Sequence, residues 1–424
     1  MDADAIVIGG GLAGLVAARD LRERGRSVIL LEARDRLGGR TWYRRIPGTD
    51  VMAEYGGTWF ARASQPALAA ELDRYGIAVE PYLQPGRSVW VFDGHRREGP
   101  EPRERLRALL APVDAQIDAV AAALSRPGGS ETIEALDVTV TRWVEGLGLD
   151  PEAGAYLLTY AASMGGGPPD RMSALTLLVD AAEGGYRFDE AFHQTGERFA
   201  DGSSSLVDAI AADAGADVRL GAPAERISRD DDGVRVDLAG GGTLSGGAAV
   251  VALPLNVWSG VVFDPQLADA KRRLVAQGHV GLTIKTLAVA TGLGGGFMGQ
   301  GWGLPIQAAV SLQDTPEGTL VMGFSGATPI DPRDPEAVQA ALRRFAPEAD
   351  VVACDGHDWI GDPFSKGTWL AFPPGWAGGF DALRVPEGRV AFAGGDIAEH
   401  GAGWIEGAVT SGRDAAAHVH ALLR

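Results

Sequence analysis

A single cysteine, Cys354, stands in 424 residues. That excludes an intramolecular disulfide framework and every CxxC metal or redox motif. Lysine is almost as scarce, with Lys271, Lys285 and Lys366 the only three. Basic residues are outnumbered 38 to 56, for a formal net charge of −18. Such a surface repels nucleic-acid phosphate and anionic lipid and favours cationic small molecules. No run approaches the roughly 20 apolar residues of a membrane helix, and the most apolar stretch, 248–263, is broken by Pro254 and Asn256. The opening MDADAIVIGGG enters a strand pattern at once, without the basic and apolar regions of a signal peptide. A cytoplasmic protein with no nucleic-acid or membrane partner is the expectation. His193, His279, His357 and His400 show no metal-ligand spacing, and both HExxH and the G-x-S-x-G elbow are missing, so no metal site is expected.

What is present is an ordinary globular balance, 46% hydrophobic and 22% charged, long enough for two or three domains at about 150 residues each. The 60 glycines fall in clusters that punctuate the chain. The first stretch reads strand (Ala5 to Ile8), tight turn, helix (through Leu15, Ala18 and Leu21, ended by Gly25) and strand (Val28 to Leu31). Uninterrupted apolar strands alternating with helices predict a parallel sheet buried on both faces. Apolar residues from Leu106 to Leu124 recur at helical spacing, with Pro112 expected to kink or divide the helix. Residues 130–200 read as mainly helical. Strands follow at 234–238, at 249–253 and in several runs over 280–325, then a helix from Pro335 to Phe345. The tail repeats the opening: Val390 to Ala393 enters a Gly-Gly-Asp turn, and a helix starts near Trp404. Strand–turn–helix units at both ends predict a domain assembled from discontinuous segments.

Gly9-Gly10-Gly11-Leu12-Ala13-Gly14 satisfies G-x-G-x-x-G in the context that motif requires, after a strand and opening a helix. Glycines there let the backbone approach a pyrophosphate, and the helix start offers amide donors and a positive dipole end. Glu32, ending the next strand, is placed to accept hydrogen bonds from ribose hydroxyls. A dinucleotide site follows. The continuation LEARDRLGGRT, with Gly38, Gly39 and Arg40, suits the extended FAD molecule; the alternative for Arg34, Arg36 and Arg40 is surface pairing with local acids.

The chain resembles the FAD-dependent amine oxidases of the monoamine oxidase type. The resemblance rests on IVIGGGLAGLVAA through LEARDRLGGRTW, on EYGGTW (54–59), on GLTIK (281–285), and on FPPG (372–375) with RVAFAGGDIA (389–398) and GWIEGAV (403–409). Region 80–200 carries no such match. The resemblance implies FAD contacts at Gly9, Gly11, Ala13, Gly14, Glu32, Arg34, Gly38, Gly39, Arg40, Gly56, Gly57, Thr58, Ala224, Gly395, Asp396, Gly403, Trp404, Ile405 and Ala408. It also implies that Lys285 holds a water against the flavin and assists reaction with oxygen. Trp369 and Trp404 would form the aromatic cage for the amine, with Trp59 as a third wall. Without the family, Lys285 reads as an edge-strand lysine and the tryptophans as core or lid residues.

Two departures shape the expectation. Thr368 stands where mammalian-type members carry the cysteine linked to flavin, so FAD should be non-covalent. Gly57-Thr58-Trp59-Phe60 lacks the arginine with which related amino-acid oxidases clamp a carboxylate, although Arg62 lies nearby. The expected fold is α/β (α+β overall), with a Rossmann-type FAD domain from 1–79, 196–272 and 364–424. A sheet-plus-helix substrate domain takes 80–195 and 273–363. The expected activity is oxidation of an amine without α-carboxylate, O2 being reduced to H2O2; a homodimer is compatible with it. Alternatives are an L-amino-acid oxidase, a dehydrogenase or desaturase, and a non-catalytic binding protein of this fold.

Overall fold

The computed structural model describes the chain apart from residues 83–85, 100, 126–129, 189–195, 327–328 and 378, and apart from the side chains of 101–104 and 130. His193 therefore lies outside the described residues.

The eight-stranded sheet begins from the opening strand, Ala3–Ile8, which pairs in parallel with Val28–Leu31 on one side and Thr243–Val251 on the other. Val390–Phe392 from the tail also joins Thr243–Val251 in parallel. Alternate side chains explain the uninterrupted apolar strands, since neighbours along a strand point to opposite faces. Ala5, Val7 and Leu30 pack on one face with the helices Leu12–Glu23 and Ile405–Leu422. Ile6, Ile8, Ile29 and Leu31 pack on the other with Trp258 and Trp376. Both faces are core.

The seven-stranded sheet runs Asp350–Asp355, Ile284–Thr291, Gly318–Ser325, Ala308–Thr315, Phe297–Gly301, Arg87–Phe92, His95–Glu98. It is antiparallel except where Phe297–Gly301 meets Arg87–Phe92. One face carries Leu287, Val289 and Phe324 against the helices Glu101–Leu124, Pro151–Ser163 and Ala174–Gly184. The opposite face is covered by Pro335–Leu342.

Pro112 does not divide its helix: Glu101–Leu124 is a single element with the proline inside it. The missing amide costs roughly 3 kcal/mol. Leu106, Leu110, Val113, Ile117 and Val120 all bury their side chains along this one stripe, and a fully buried aliphatic side chain is worth about 1.5–3 kcal/mol. Burial outweighs the lost hydrogen bond. Among the described residues no helix is long and apolar enough to cross a membrane.

Candidate active site

Two adjoining cavities lie between the sheets. The larger, about 400 Å3, is bordered by Gly9, Gly11 and Ala13 at the start of helix Leu12–Glu23, by Glu32 and Arg34, and by Gly38 to Thr41. Gly56, Gly57, Ala224, Gly395, Gly403, Trp404, Ile405 and Ala408 complete this wall, together with Lys285 and Trp369. Gly14, Thr58 and Asp396, read with these from the sequence, are not in the lining. Gly14 has a packing reason to be glycine, since a Cβ there would lie 1.9 Å from the Gly9 carbonyl oxygen. Among the described residues no side chain caps the start of Leu12–Glu23, so its first amides are available to an acceptor.

Glu32 is 4% exposed. Its Oε2 accepts from the Gly10 amide and its Oε1 from the Arg34 amide, both at 2.8 Å. The carboxylate orders the glycine turn and retains lone pairs for a hydroxyl. Arg34 pairs with Asp362 at 2.8 Å and lies over Trp359 and Phe364. Arg40 pairs with Asp396 at 2.8 Å and donates to the Thr368 carbonyl. Both arginines thus find their shortest ion pairs far along the chain, although Arg34 also lies 3.9 Å from the local acid Glu32. Burial alone would push the Asp396 carboxyl up, but Arg40 and the Leu255 amide hold it below the usual range. Arg36 stacks on Trp42 at 4.2 Å. Thr368 Oγ1 is buried on the wall of this cavity without a hydrogen-bond partner among the described residues. Close-packed glycines, an uncapped helix start, a buried acid and an unpartnered hydroxyl suit a flavin dinucleotide.

The smaller cavity, about 190 Å3, shares Gly57, Lys285, Trp369, Gly403, Trp404 and Ile405 with the larger. Its other walls include Thr58, Trp59, Tyr160, Leu177, Asp180, Glu183, Phe324 and Phe372. Lys285 pairs with Phe324 in an interior strand, Ile284–Thr291, whose pairing with Asp350–Asp355 on the other side begins two residues later at Leu287. Strand alternation puts it on the same face as Leu287 and Val289, where it is 8% exposed and donates to Thr58 Oγ1 at 2.7 Å. Burial lowers its ammonium pKa, opposed by the charge of Glu54. Burial likewise raises Glu54, against the Ser203 hydroxyl and amide, which it accepts at 2.6 Å each.

Trp369 donates its indole N–H to the Met164 carbonyl at 3.0 Å and meets Phe324 edge-on at 6.1 Å. Gly166 makes room for that ring: its φ is +83°, and a Cβ there would come within 2.3 Å of the indole nitrogen. Trp59 meets Phe324 and Tyr82. Trp404 immediately precedes helix Ile405–Leu422 and donates to Asp180 Oδ1 at 2.8 Å. Burial raises the Asp180 carboxyl, opposed by Tyr186 and Trp404. Asp180, Glu183, Tyr160 and Phe324 are wall residues that the sequence reading did not single out. One signal existed for Asp180, an acid set between Val179 and Ala181 in the largely apolar first two turns of ALTLLVDAAEG.

Arg62 borders neither cavity; it pairs with Asp73. Cys354 is also absent from both linings, and burial pushes its thiol up to about 11. Among the described residues no three His, Cys, Asp or Glu side chains converge as metal ligands.

The family model described as flavin containing amine oxidoreductase matches residues 12–420. The chain is 33% identical to (S)-6-hydroxynicotine oxidase of Paenarthrobacter nicotinovorans over 420 residues, 96% of each protein. It is 30% identical to pseudooxynicotine dehydrogenase of a Pseudomonas species, over 100% of this chain and 87% of that one. In fold it is similar to putrescine oxidase bound to putrescine, with a TM-score of 0.85, 25% identity and 99% of each chain covered. Likeness of this length, in sequence and in fold alike, makes the chain a member of the flavin-containing amine oxidoreductase family.

Proposed function

We propose that this enzyme oxidises a small amine without an α-carboxylate to the imine, with non-covalent FAD and with O2 as the electron acceptor. The observation that carries the substrate side is the smaller cavity. Among its described lining residues Lys285 is the sole cation, and no arginine is present to clamp a carboxylate. Its walls are chiefly aromatic and aliphatic, so they strip water from the amine and favour the neutral form. Relatives and neighbours named for hydroxynicotine and putrescine support an amine of this kind. Thr368 borders the larger cavity while the lone thiol, Cys354, does not, which supports non-covalent binding.

The chemistry the flavin supplies when bound is acceptance of a hydride from the amine α-carbon and transfer of two electrons to O2. Glu32, the uncapped helix start and the glycine turn would hold the dinucleotide. Trp369, Trp404 and Trp59 would orient the amine and exclude water. Lys285, tied to Thr58, would offer positive charge where oxygen gains electrons. Hydrolysis of the released imine then gives the carbonyl product. On this reading 1–79, 196–272 and 364–424 form the FAD domain, and 80–195 with 273–363 the substrate domain; the enzyme acts in the cytoplasm.

The test is anaerobic reduction of the bound flavin by a panel of amines and L-amino acids, followed by admission of O2. Bleaching by amines, then reoxidation with stoichiometric peroxide, is the expected result. Bleaching by L-amino acids alone would overturn the substrate class. A second reading, a dehydrogenase, draws on the relative that carries that name; it predicts reduction by amine with negligible peroxide.

A further inference from the structure

Asp180 has no part in the chemistry above, yet it is built into the site with care. It breaks the apolar run of helix Ala174–Gly184 and borders the smaller cavity. Its Oδ1 accepts the Trp404 indole N–H at 2.8 Å, and its Oδ2 accepts the Tyr186 hydroxyl at 2.5 Å. The Tyr186 and Tyr160 hydroxyls lie 3.0 Å apart. The Tyr186 hydroxyl donates to Asp180, which leaves its oxygen to accept from Tyr160.

We infer that Asp180 is the positioning residue of Trp404, holding its ring at the angle the amine cage requires. The inference rests on the amine-oxidation reading of the site. Even a partly buried carboxylate costs free energy unless it is hydrogen-bonded, and no arginine or lysine pairs with this one among the described ion pairs. Its charge is spent on two neutral donors, the stronger, charge-assisted kind of bond. Trp404 needs that tie. It follows Gly401 and Gly403, both at positive φ, and among the described residues its ring meets no other aromatic ring. Trp369, by contrast, has both the Met164 carbonyl and the Phe324 edge. The indole N–H is therefore the directional restraint on Trp404, and Asp180 supplies its acceptor. The link joins helix Ala174–Gly184 to the start of helix Ile405–Leu422 across 224 residues of sequence.

The experiment compares Asp180→Leu, Asp180→Asn, Trp404→Phe and the double variant Asp180→Leu/Trp404→Phe as holoenzymes. Asp180→Leu should slow flavin reduction at saturating amine by about ten- to a hundredfold, the penalty of a misplaced wall, with FAD content retained. Asp180→Asn keeps a carbonyl for the indole and should recover most of that loss. In the Trp404→Phe background, which has no indole N–H, Asp180→Leu should add nothing. A second readout does not depend on turnover. The 15N indole resonance of Trp404, identified by its loss in Trp404→Phe, should exchange with D2O on the order of tenfold faster in Asp180→Leu, as expected for one charge-assisted bond. Additive losses in the double variant, or unchanged indole exchange, overturn the inference. If no amine reduces wild-type flavin, the amine-oxidation reading fails, and the exchange rate still decides whether Asp180 holds the ring.

Discussion

Lys285 takes a charge to a place with little access to water, beside Thr58 and under the influence of Glu54. A positioned cation in a dry cavity acts most strongly where negative charge develops, which on the proposed oxidase reading is the transfer of electrons to oxygen. Lys285→Met keeps the length of the side chain and removes the charge. Stopped-flow should show reoxidation slowed by roughly 10²–10³ while reduction by amine changes little; equal slowing of both half-reactions would reduce Lys285 to a strand residue. His279 offers a test by pH. The residue is 4% exposed, Nδ1 accepts the Gly281 amide at 3.0 Å, and Nε2 has no partner among the described residues. Burial, reinforced by Arg40 and only partly opposed by Asp396, lowers its pKa to about 4. Between that value and about 6.5 the unfolded chain binds a proton that the folded chain does not, so stability falls as pH drops through this window. The slope from one such group is at most about 1.4 kcal/mol per pH unit. Urea midpoints at pH 7 and pH 5 should therefore differ less in His279→Gln than in wild type; an identical difference would remove His279 as the source.

Some elements in this fold are secured by residues that belong to other elements. Helix Pro66–Tyr75 has Gln65 before it, which makes no capping bond. The cap comes from Glu406 in the first turn of helix Ile405–Leu422, whose carboxylate accepts the amides of Ala67 at 2.9 Å and Leu68 at 2.7 Å. An anion at a helix start is favoured by the helix dipole as well as by the bonds themselves. Glu406→Gln leaves one amide facing an NH2 group, and should cost about 1.5–3 kcal/mol in urea unfolding, the value of a hydrogen bond to a charged group. Because Glu406 follows Trp404 and Ile405, the same variant should also retain less FAD after gel filtration. Unchanged stability would show that the helix start finds water as readily. Helix Glu101–Leu124 makes the complementary point, since a long buried stripe carries Pro112 through a position that local preference would have broken.

At the scale of the whole molecule, the larger cavity is assembled from both ends of the chain and from segments near 224 and 253. A cofactor held there without a covalent bond stabilises the folded state by mass action, about 2.7 kcal/mol when free ligand is a hundredfold above its dissociation constant. Acid or heat should release all the flavin, and the unfolding midpoint of apoprotein should rise with added FAD; colour remaining on the denatured polypeptide would contradict Thr368 as a non-linking residue. The sequence alone determined the strand–turn–helix with its glycine turn and Glu32, the buried parallel strands, the repeat of that theme at the tail, and the identities of Lys285, Trp369 and Trp404. The turn, the strands and the tail repeat are legible because sterics and side-chain periodicity act within a few residues, whereas Lys285, Trp369 and Trp404 took their roles only from the resemblance to the amine oxidases. Only the tertiary structure decided that Lys285 meets Thr58, that Arg34 meets Asp362, and that Asp180 holds Trp404. Those partners lie 227, 328 and 224 residues apart. Their meeting depends on how two sheets and their helices pack together, and no local pattern encodes that.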